Sequence, residues 1–332
     1  MSRFGPFPDP AGLLEHDEAA DAFATMLDGG ASDENIVEFL TALSDRGETM
    51  VEIAAAAQAM RDRLIPIDAP AGAIDVCGTG GDGHHTLNVS TAVSIVVAAC
   101  EVPVAKHGNR AASSKSGAAD TLEALGLDMD RADRMAEEQL ADLGICFLFA
   151  GTRHPAMKRI MPIRKAIGRR TIFNLMGPLA NPARVTRQLV GIARPAYVPV
   201  YAEALNRLGT EHSRVISGDE GLDELSLAGG NEVAVVLPEG VRMQRSVAAD
   251  AGLPTRSLAE IRGGDAEYNA KALRRLLEGE PGAYRDAVLY NAAEALIVAG
   301  AADTPLEGVE EAAEAIDKGL ANALLNCWIA YK

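Results

Sequence analysis

The chain has 332 residues, and at roughly 100–200 residues per domain this length predicts two domains, or one large domain with a smaller annex. Hydrophobic residues make up 48% of the chain but aromatic residues only 4%, which favours helices packed on a sheet over an aromatic-rich β-sandwich. The 31 Lys and Arg residues against 47 Asp and Glu residues give a net charge of −16, which disfavours nucleic acid or an anionic membrane as the main partner.

The cysteines and the apolar runs indicate where the protein works. Cys77, Cys100, Cys146 and Cys327 are scattered without a C-x-x-C pair, so neither a zinc knuckle nor a disulfide framework is expected. The longest apolar run, near residues 93–100, is far shorter than the ~20 residues that span a bilayer. We therefore expect a cytoplasmic protein that binds no membrane.

The first part of the chain has helical periodicity. Apolar residues recur at helical spacing through residues 12–64 and predict three helices. Ser32 is placed to cap the second helix, and Thr49 with Glu52 forms a capping box for the third. The proline-rich residues 65–70 then predict a linker.

After this linker, short apolar strands alternate with helices, which predicts a parallel sheet with crossover helices and an α/β fold class. The expected strands are residues 73–77, 102–105, 145–149, 189–193, 215–216 and 233–237. Expected helices begin near residue 91 and cover residues 118–125, 286–298 and 312–326. A basic helical insert, residues 155–182, interrupts the alternation.

A glycine-rich segment follows the first predicted strand. Residues 78–83 read GTGGDG, and residues 86–91 read TLNVST before a helix. Glycines let backbone N–H groups approach an anion, and hydroxyls and a helix N-terminus add donors, so this segment is suited to phosphate. Its spacing matches neither a Walker loop nor a dinucleotide fingerprint. The alternative interpretation is a glycine-rich turn without a ligand.

Two further loops follow predicted strands. Residues 106–117, KHGNRAASSKSG, hold three fixed cations and three serines and predict a second phosphate site, with a solvated basic turn as the alternative. Residues 217–224, SGDEGLDE, hold four carboxylates, and oxygen ligands on a loop suit magnesium bridged to substrate phosphates. The alternative for this loop is a solvent-facing acidic turn.

Residues 153–170 carry seven Lys and Arg residues without one Asp or Glu. In a chain of this negative charge, such an excess indicates an anionic partner, or an acidic patch on a second subunit. The following residues 173–182, FNLMGPLANP, are equally compatible with ordinary helix-end punctuation.

These segments together resemble the anthranilate phosphoribosyltransferases of tryptophan biosynthesis. The likeness rests on GTGGDG with TLNVST, KHGNRAASSKSGAADTLEALG, HPAMKRIMPIRKAIGRRTIFNLMGPLANPA and the later GLDE, and it covers nearly the whole chain. It implies transfer of the 5-phosphoribosyl group from phosphoribosyl pyrophosphate to the amine of anthranilate, giving N-(5-phosphoribosyl)anthranilate and pyrophosphate. The glycine loop alone also matches the related pyrimidine nucleoside phosphorylases.

The resemblance also implies an architecture. A small all-helical domain, residues 1–67 and about 156–183, would be hinged to a large α/β domain, residues 68–155 and 184–332. The large domain would have a central, mostly parallel β-sheet flanked by helices. The protein would form a homodimer through its small domain.

Site residues follow from the same resemblance. Phosphoribosyl pyrophosphate would be contacted by Gly78, Gly81, Asp82, Thr86, Asn88, Val89, Ser90, Thr91, Lys106, His107, Gly108, Asn109, Arg110, Ala111, Ala112, Ser113, Ser114 and Ala118. Anthranilate would be contacted by Gly78, His107, Asn109, Arg164 and Pro178. Two magnesium ions per subunit would be held by Ser90, Asp223 and Glu224, and His107 is the candidate acceptor of the departing proton.

The chain departs from the family pattern at Ser217, Gly151 and Leu87, none of which is a predicted ligand. Two other functions are weighed: a pyrimidine nucleoside phosphorylase-like enzyme, and a non-catalytic paralogue that binds nucleic acid. The acidic pair and Arg164 argue against the first, and the acidic pair and the net charge against the second.

Overall fold

A seven-stranded sheet organises the larger part of the chain in the computed structural model, which describes residues 4–111 and 115–332. The strands are β1 Ile74–Gly78, β2 Val104–Gly108, β3 Ile145–Phe149, β4 Arg187–Gly191, β5 His212–Gly218, β6 Gly230–Leu237 and β7 Gly240–Val247. Their order is β3-β2-β1-β4-β5-β6-β7. Strands β1 to β5 pair in parallel, whereas β6 and β7 are antiparallel additions. The predicted α/β class with a mostly parallel sheet is confirmed.

Helices surround this sheet and form the N-terminal part of the chain. They are α1 His16–Leu27, α2 Asp33–Arg46, α3 Met50–Arg61, α4 Val89–Ala99, α5 Ala118–Ala124, α6 Met129–Arg134, α7 Ala136–Leu143, α8 Ala150–Arg153, α9 Met157–Ile167, α10 Met176–Leu179, α11 Val198–Arg207, α12 Ala266–Leu277, α13 Ala283–Ala299, α14 Pro305–Asp317 and α15 Leu320–Ala330. The three predicted N-terminal helices are α1 to α3.

The predicted caps determine where α2 and α3 begin. Ser32 Oγ accepts a hydrogen bond of 3.3 Å from the backbone N–H of Asn35. Thr49 and Glu52 exchange the two bonds of a capping box, at 2.8 and 3.3 Å. Glu52 is fully buried, and its charge is compensated by the Arg46 guanidinium 2.5 Å away. The Glu52 carboxylate thus caps α3 and pairs with Arg46 of α2, and together these contacts fix the position of α2 relative to α3.

The basic insert packs on the N-terminal helices. Helix α9 contacts α1 and α2, and the Phe23 and Phe173 rings meet edge to face with centroids 6.4 Å apart. Arg169 donates to the Thr41 carbonyl at 3.0 Å. These contacts place the basic insert against the N-terminal helices. The predicted division into two domains and its boundaries stay predictions, because Val190 of β4 and Val215 of β5 belong to the same apolar core as these helices.

The two faces of the sheet are covered by different helices. One face buries Val76, Val104 and Leu189 against α4 and α13. The opposite face buries Val190 and Val215 against α11 and against the helical part, by which we mean helices α1 to α3 with α9 and α10. This alternation follows from the two-residue period of a strand, and it leaves only the strand ends open to a ligand.

Strand β7 and the last two helices are among the elements that differ from expectation. Strand β7 is not among the predicted strands, because it is a polar edge strand in which residues 242 and 243 are exposed. The helix predicted over residues 312–326 is wrong as a single element. Helix α14 ends before Gly319, whose φ of +75° is easily adopted only by glycine, and α15 begins after it.

All four cysteines are free thiols, of which Cys77 and Cys146 are buried. The longest helix, α13, has 17 residues. Across residues 4–111 and 115–332, no helix is long and apolar enough to cross a membrane.

Candidate active site

The carboxyl ends of β1, β2, β4 and β5 lie side by side at one edge of the sheet. Each of these strands ends in a glycine: Gly78, Gly108, Gly191 and Gly218. The glycine loop, residues 78–83, follows β1, the basic loop, residues 108–117, follows β2, and the acidic loop, residues 218–224, follows β5. Parallel pairing therefore brings the three predicted loops to one end of the sheet, which is where open α/β sheets bind ligands.

The glycine loop lies directly against Asp223. The Gly80 N–H donates to Asp223 Oδ2 at 2.6 Å. A Cβ atom on Gly78 would lie 2.3 Å from that oxygen, and one on Gly191 would lie 1.5 Å from the Asp223 carbonyl oxygen. Gly191 is a site residue that sequence reasoning missed, although a glycine at the carboxyl end of a predicted parallel strand is a usable signal. Only glycine lets the acidic loop approach this closely.

Glu224 is held at the start of α4. The Ser90 N–H donates to Glu224 Oε1 at 3.0 Å, while Glu224 Oε2 is buried and has no hydrogen-bond partner. Lys106 Nζ donates to the Val76 carbonyl at 2.8 Å and lies 3.5 Å from Ser90 Oγ. The predicted metal ligands are thus together, with one carboxylate oxygen uncompensated.

Burial makes this cluster electrostatically unusual. Burial, and then the nearby Asp82 carboxylate, raise the pKa of Asp223 to about 7. Burial and the charges of Asp223 and Asp82 raise the pKa of Glu224 well above its ordinary value. Burial also lowers the pKa of Lys106, which is almost fully enclosed. Two buried carboxylates that repel each other are the environment that a hard dication stabilises.

The uncompensated Glu224 oxygen and the paired carboxylates fit magnesium. Among the described residues, no group of three or more His, Cys, Asp or Glu side chains is arranged to hold a metal ion. Magnesium usually keeps several waters and shares substrate phosphate oxygens, so a two-carboxylate site with Ser90 is sufficient.

The other two acids of the acidic loop have structural partners. Asp219 pairs with Arg245 at 2.6 Å, and Glu220 accepts a hydrogen bond from the Ser226 hydroxyl. The Glu220 carbonyl lies 3.1 Å from Nε2 of His84, the residue that follows the glycine loop. The four carboxylates therefore divide into a buried pair beside the glycine loop and α4, and a pair that shapes the acidic loop.

The described start of the basic loop is held mainly by helix α5. Arg110 pairs with Glu123 at 2.7 Å and with Asp120 at 3.1 Å, so its charge is already compensated. Asn109 Oδ1 accepts from the Arg110 N–H at 2.8 Å, and the Ala111 N–H donates to Asp120 Oδ2 at 2.9 Å. Three residues of this prediction lie outside the described residues: Ala112, Ser113 and Ser114. The predicted substrate contact of Arg110 would have to compete with its two carboxylates.

Several predicted contacts around α4 also serve the fold. Asn88 Oδ1 accepts from the Thr121 hydroxyl at 2.6 Å and from Asn269 Nδ2 at 2.8 Å. The Val89 side chain is buried in the core, whereas the Thr91 hydroxyl is buried without a partner. Asn88 therefore positions the helix start, and Thr91 keeps an unused polar group beside it.

Other predicted residues have structural contacts. Thr86 forms an isolated antiparallel bridge with Arg262. A Cβ atom on Gly108 would lie 3.3 Å from the Ala118 Cβ, so these two small residues pack together. Pro178 is buried in the short helix α10.

His107 lies below the basic loop with both ring nitrogens engaged. Its Nδ1 lies 2.8 Å from the Gly177 carbonyl, and its Nε2 lies 3.1 Å from Nε2 of His154. Burial lowers the pKa of His107 to about 3 and that of His154 to about 4, so both rings are neutral at pH 7. Its candidate role as a proton acceptor stays a prediction, and His154 is a neighbour that the sequence analysis did not single out.

Ion pairing separates the cations of residues 153–170. Three of them pair with carboxylates: Arg153 with Asp133, Arg159 with Asp33 and Arg169 with Asp45. Arg164 makes no ion pair with a described residue, and Arg164 Nη1 lies 3.6 Å from Met161 Sδ. Burial lowers the pKa of its guanidinium, which costs free energy unless an anion binds. Arg164 is thus available for a carboxylate ligand.

Two protein families and several known enzymes are similar to this chain. The model of the "Glycosyl transferase family, a/b domain" matches residues 71–322, and that of the "Glycosyl transferase family, helical bundle domain" matches residues 12–64. A relative from Sphingopyxis alaskensis named anthranilate phosphoribosyltransferase is 92% identical over 332 residues and covers 100% of both chains. This chain belongs to the anthranilate phosphoribosyltransferase family. The predicted family, enzyme class and activity are confirmed.

Other anthranilate phosphoribosyltransferases are also similar to this chain in sequence and structure. The relative from Novosphingobium aromaticivorans is 75% identical and covers 97% of this chain and 98% of its own. The crystal structure of the Thermus thermophilus enzyme matches with a TM-score of 0.89 at 41% identity, covering 96% of each chain. The Saccharomyces cerevisiae enzyme in complex with phosphoribosyl pyrophosphate and Mg matches with a TM-score of 0.87 at 29% identity, covering 96% and 93%.

The three departures from the anthranilate phosphoribosyltransferase pattern lie at the margins of the site. Ser217 and Leu87 are buried. Gly151 is the second residue of the short helix α8, and a Cβ atom there would lie 2.7 Å from the Phe149 ring. Glycine at position 151 therefore lets that ring lie close to the backbone, and Arg110 covers the same ring at 5.9 Å.

The glycine loop offers a first test. Gly81 has φ of +74°, and a Cβ atom there would lie 2.8 Å from Arg170 Nη2. We expect Gly81→Val to displace this exposed loop and to raise the apparent constant for phosphoribosyl pyrophosphate at least tenfold, while Tm falls by only a few degrees. Steady-state kinetics beside a thermal melt measure both. If the variant unfolds while its folded fraction stays fully active, the loop serves only to turn the chain.

Proposed function

We propose that the protein transfers the 5-phosphoribosyl group of phosphoribosyl pyrophosphate to the amine of anthranilate and releases pyrophosphate. The observation that carries this is the cluster at the carboxyl end of the sheet, where the glycine loop and the start of α4 contact the buried Asp223–Glu224 pair and Lys106 of β2 lies beside Ser90. Family membership supports the same conclusion. The site residues at this cluster belong to the proposal.

The chemistry mainly requires positioning. An aryl amine beside a carboxylate is neutral at pH 7 and nucleophilic, so attack on the ribose C1 needs no strong base. Bringing the amine and C1 together in a fixed geometry supplies much of the rate acceleration. Arg164 has no carboxylate partner among the described residues, and it would hold the anthranilate carboxylate so that the amine faces C1.

The leaving pyrophosphate gains negative charge as its bond to C1 breaks. Lys106 and the backbone N–H groups of the glycine loop would stabilise that charge from fixed positions. Two magnesium ions per subunit, held by Ser90, Asp223 and Glu224, would supply further positive charge to the phosphate oxygens when bound. These residues surround one buried region, so the same groups bind the donor and stabilise the leaving group.

The setting of the reaction is also proposed. The enzyme would act in the cytoplasm, where free thiols such as the exposed Cys327 stay reduced. It would form a homodimer through its helical part, where Leu13 and Met161 are exposed apolar side chains. Its partners would be the two substrates, with no nucleic acid and no membrane.

Loss of anthranilate fluorescence tests the function directly. We expect the purified protein to consume anthranilate only when phosphoribosyl pyrophosphate and magnesium are both present. Consumption of a pyrimidine nucleoside with inorganic phosphate instead would favour a phosphorylase. Salt-dependent binding of DNA without turnover would favour the non-catalytic paralogue.

A further inference from the structure

Arg170 lies three residues beyond the end of α9, and its side chain reaches the glycine loop. Its Nη2 donates a hydrogen bond to the Gly80 carbonyl and lies 2.8 Å from where a Gly81 Cβ would be. Arg170 makes no ion pair with any carboxylate among residues 4–111 and 115–332. Its neighbour Arg169 instead points to Thr41 and Asp45 of α2. Arg170 is therefore the cation of this pair that connects the insert to the sheet edge.

The backbone of Arg170 is anchored to the helical part. Its carbonyl accepts a hydrogen bond of 3.1 Å from the Ser44 hydroxyl of α2. The next residue, Thr171, donates its N–H to Asn174 Oδ1 at 3.0 Å, which caps the following turn. The guanidinium therefore extends from a fixed backbone, and a movement of that backbone would be transmitted to the glycine loop.

Gly80 is held on both sides. Its N–H donates to Asp223 Oδ2, and its carbonyl accepts from Arg170. Gly80 and Gly81 have φ values of +70° and +74°. Without contacts that hold it, a glycine samples this conformation as only one of many. A donor that fixes the Gly80 carbonyl lowers the entropy lost when the loop closes on an anion. One residue thus joins the acidic pair to the segment that carries Arg164.

We propose that Arg170 is a positioning residue that couples occupancy of the glycine loop by a diphosphate to the binding of an aromatic carboxylate at Arg164. This rests on the proposed function, which places these ligands at the two ends of the connection. A diphosphate that orders the loop also orders Gly80, and hence Arg170 and the end of α9. Coupling of this kind is reciprocal, because each ligand stabilises the arrangement that the other needs.

Calorimetric titration of anthranilate, with and without magnesium pyrophosphate, measures the coupling without turnover, because no phosphoribosyl donor is present. We expect magnesium pyrophosphate to tighten anthranilate binding at least fivefold in the unmodified protein, within the usual range for coupled sites. In Arg170→Ala this ratio should fall to within about twofold of one, while the constant for anthranilate alone changes less than about threefold.

Arg169→Ala is the matched control. It removes the same charge from the adjacent position but leaves the Gly80 contact, so it should keep the coupling ratio. If Arg170→Ala does not fold, Ser44→Ala tests the other end of the connection and should lower the ratio without weakening anthranilate alone. Arg170→Lys keeps the charge and should restore part of the ratio.

The proposal is wrong if the unmodified protein shows no coupling, if Arg170→Ala keeps the full ratio, or if Arg169→Ala loses as much. It is also wrong if Arg170→Ala mainly weakens magnesium pyrophosphate alone, since Arg170 would then bind the ligand directly. Turnover of the unmodified protein is measured in parallel. Absence of turnover contradicts the proposed function, whereas normal turnover with unchanged coupling in Arg170→Ala contradicts only this inference.

Discussion

The double variant Asp223→Asn, Glu224→Gln is expected to fold and to lose magnesium-dependent turnover. Neutral amide oxygens hold a hard dication poorly, and these two side chains supply the buried negative charge of the site. The substitutions should not lower the free energy of unfolding. In the metal-free protein each carboxylate is buried beside another, and this burial already destabilises the folded state. Initial rates over a magnesium titration, with a thermal melt of the same sample, measure both effects.

Asp219→Asn, Glu220→Gln is the matched control on the same loop. These two acids pair with Arg245 and Ser226, so the control should lose some stability but keep its dependence on magnesium. Magnesium-dependent turnover that survives in the Asp223 and Glu224 variant would contradict the metal assignment. So would an equal loss in both double variants.

Arg164→Ala should lower kcat/KM for anthranilate about tenfold to hundredfold. A hydrogen bond to a charged group contributes roughly 1.5–3 kcal/mol, and anthranilate has one carboxylate through which a guanidinium can orient it. Binding of phosphoribosyl pyrophosphate should change little, because its phosphates are assigned to the loops after β1 and β2. Titration of each substrate separately into the variant distinguishes these effects.

Arg159→Ala provides the comparison on the same helix. Arg159 donates to the Ala31 carbonyl and lies 3.5 Å from Asp33, so its loss should affect packing of α9 and not anthranilate selectively. Equal weakening of both substrates by Arg164→Ala, or of neither, would show that Arg164 is only one cation of a solvated or dimer-facing helix.

Much of the fold follows from local patterns in the sequence. The capping box of Thr49 and Glu52, the apolar period of the helices and the short β-branched strands each depend on neighbouring residues only. Strand β7 was not predicted because most side chains of this edge strand are not buried, so it has no apolar run in the sequence. The break at Gly319 was not predicted because a glycine inside an apolar helical pattern interrupts it only when the backbone turns left-handed.

The site was predictable where a loop carries its own chemical signature. The Asp223–Glu224 pair and the glycine loop are visible as composition, and their meeting follows from parallel topology. Gly191 and His154 were missed, and Arg170 was predicted only as one cation of the basic segment, because their contacts depend on what approaches them in three dimensions. Conversely, the ion pairs of Arg110 depend on α5 folding back towards the basic loop.

The central position of β1 has a consequence for the growing chain. Ile74 pairs with Val104 on one side, which follows soon in sequence, and with Arg187 on the other, which is made about a hundred residues later. At synthesis rates of about 5–20 residues per second, one edge of β1 stays unpaired for roughly five to twenty seconds. An open apolar edge in a nascent chain is a template for wrong pairing. Ribosome-bound intermediates that end before β4 should therefore be the ones that most need a chaperone.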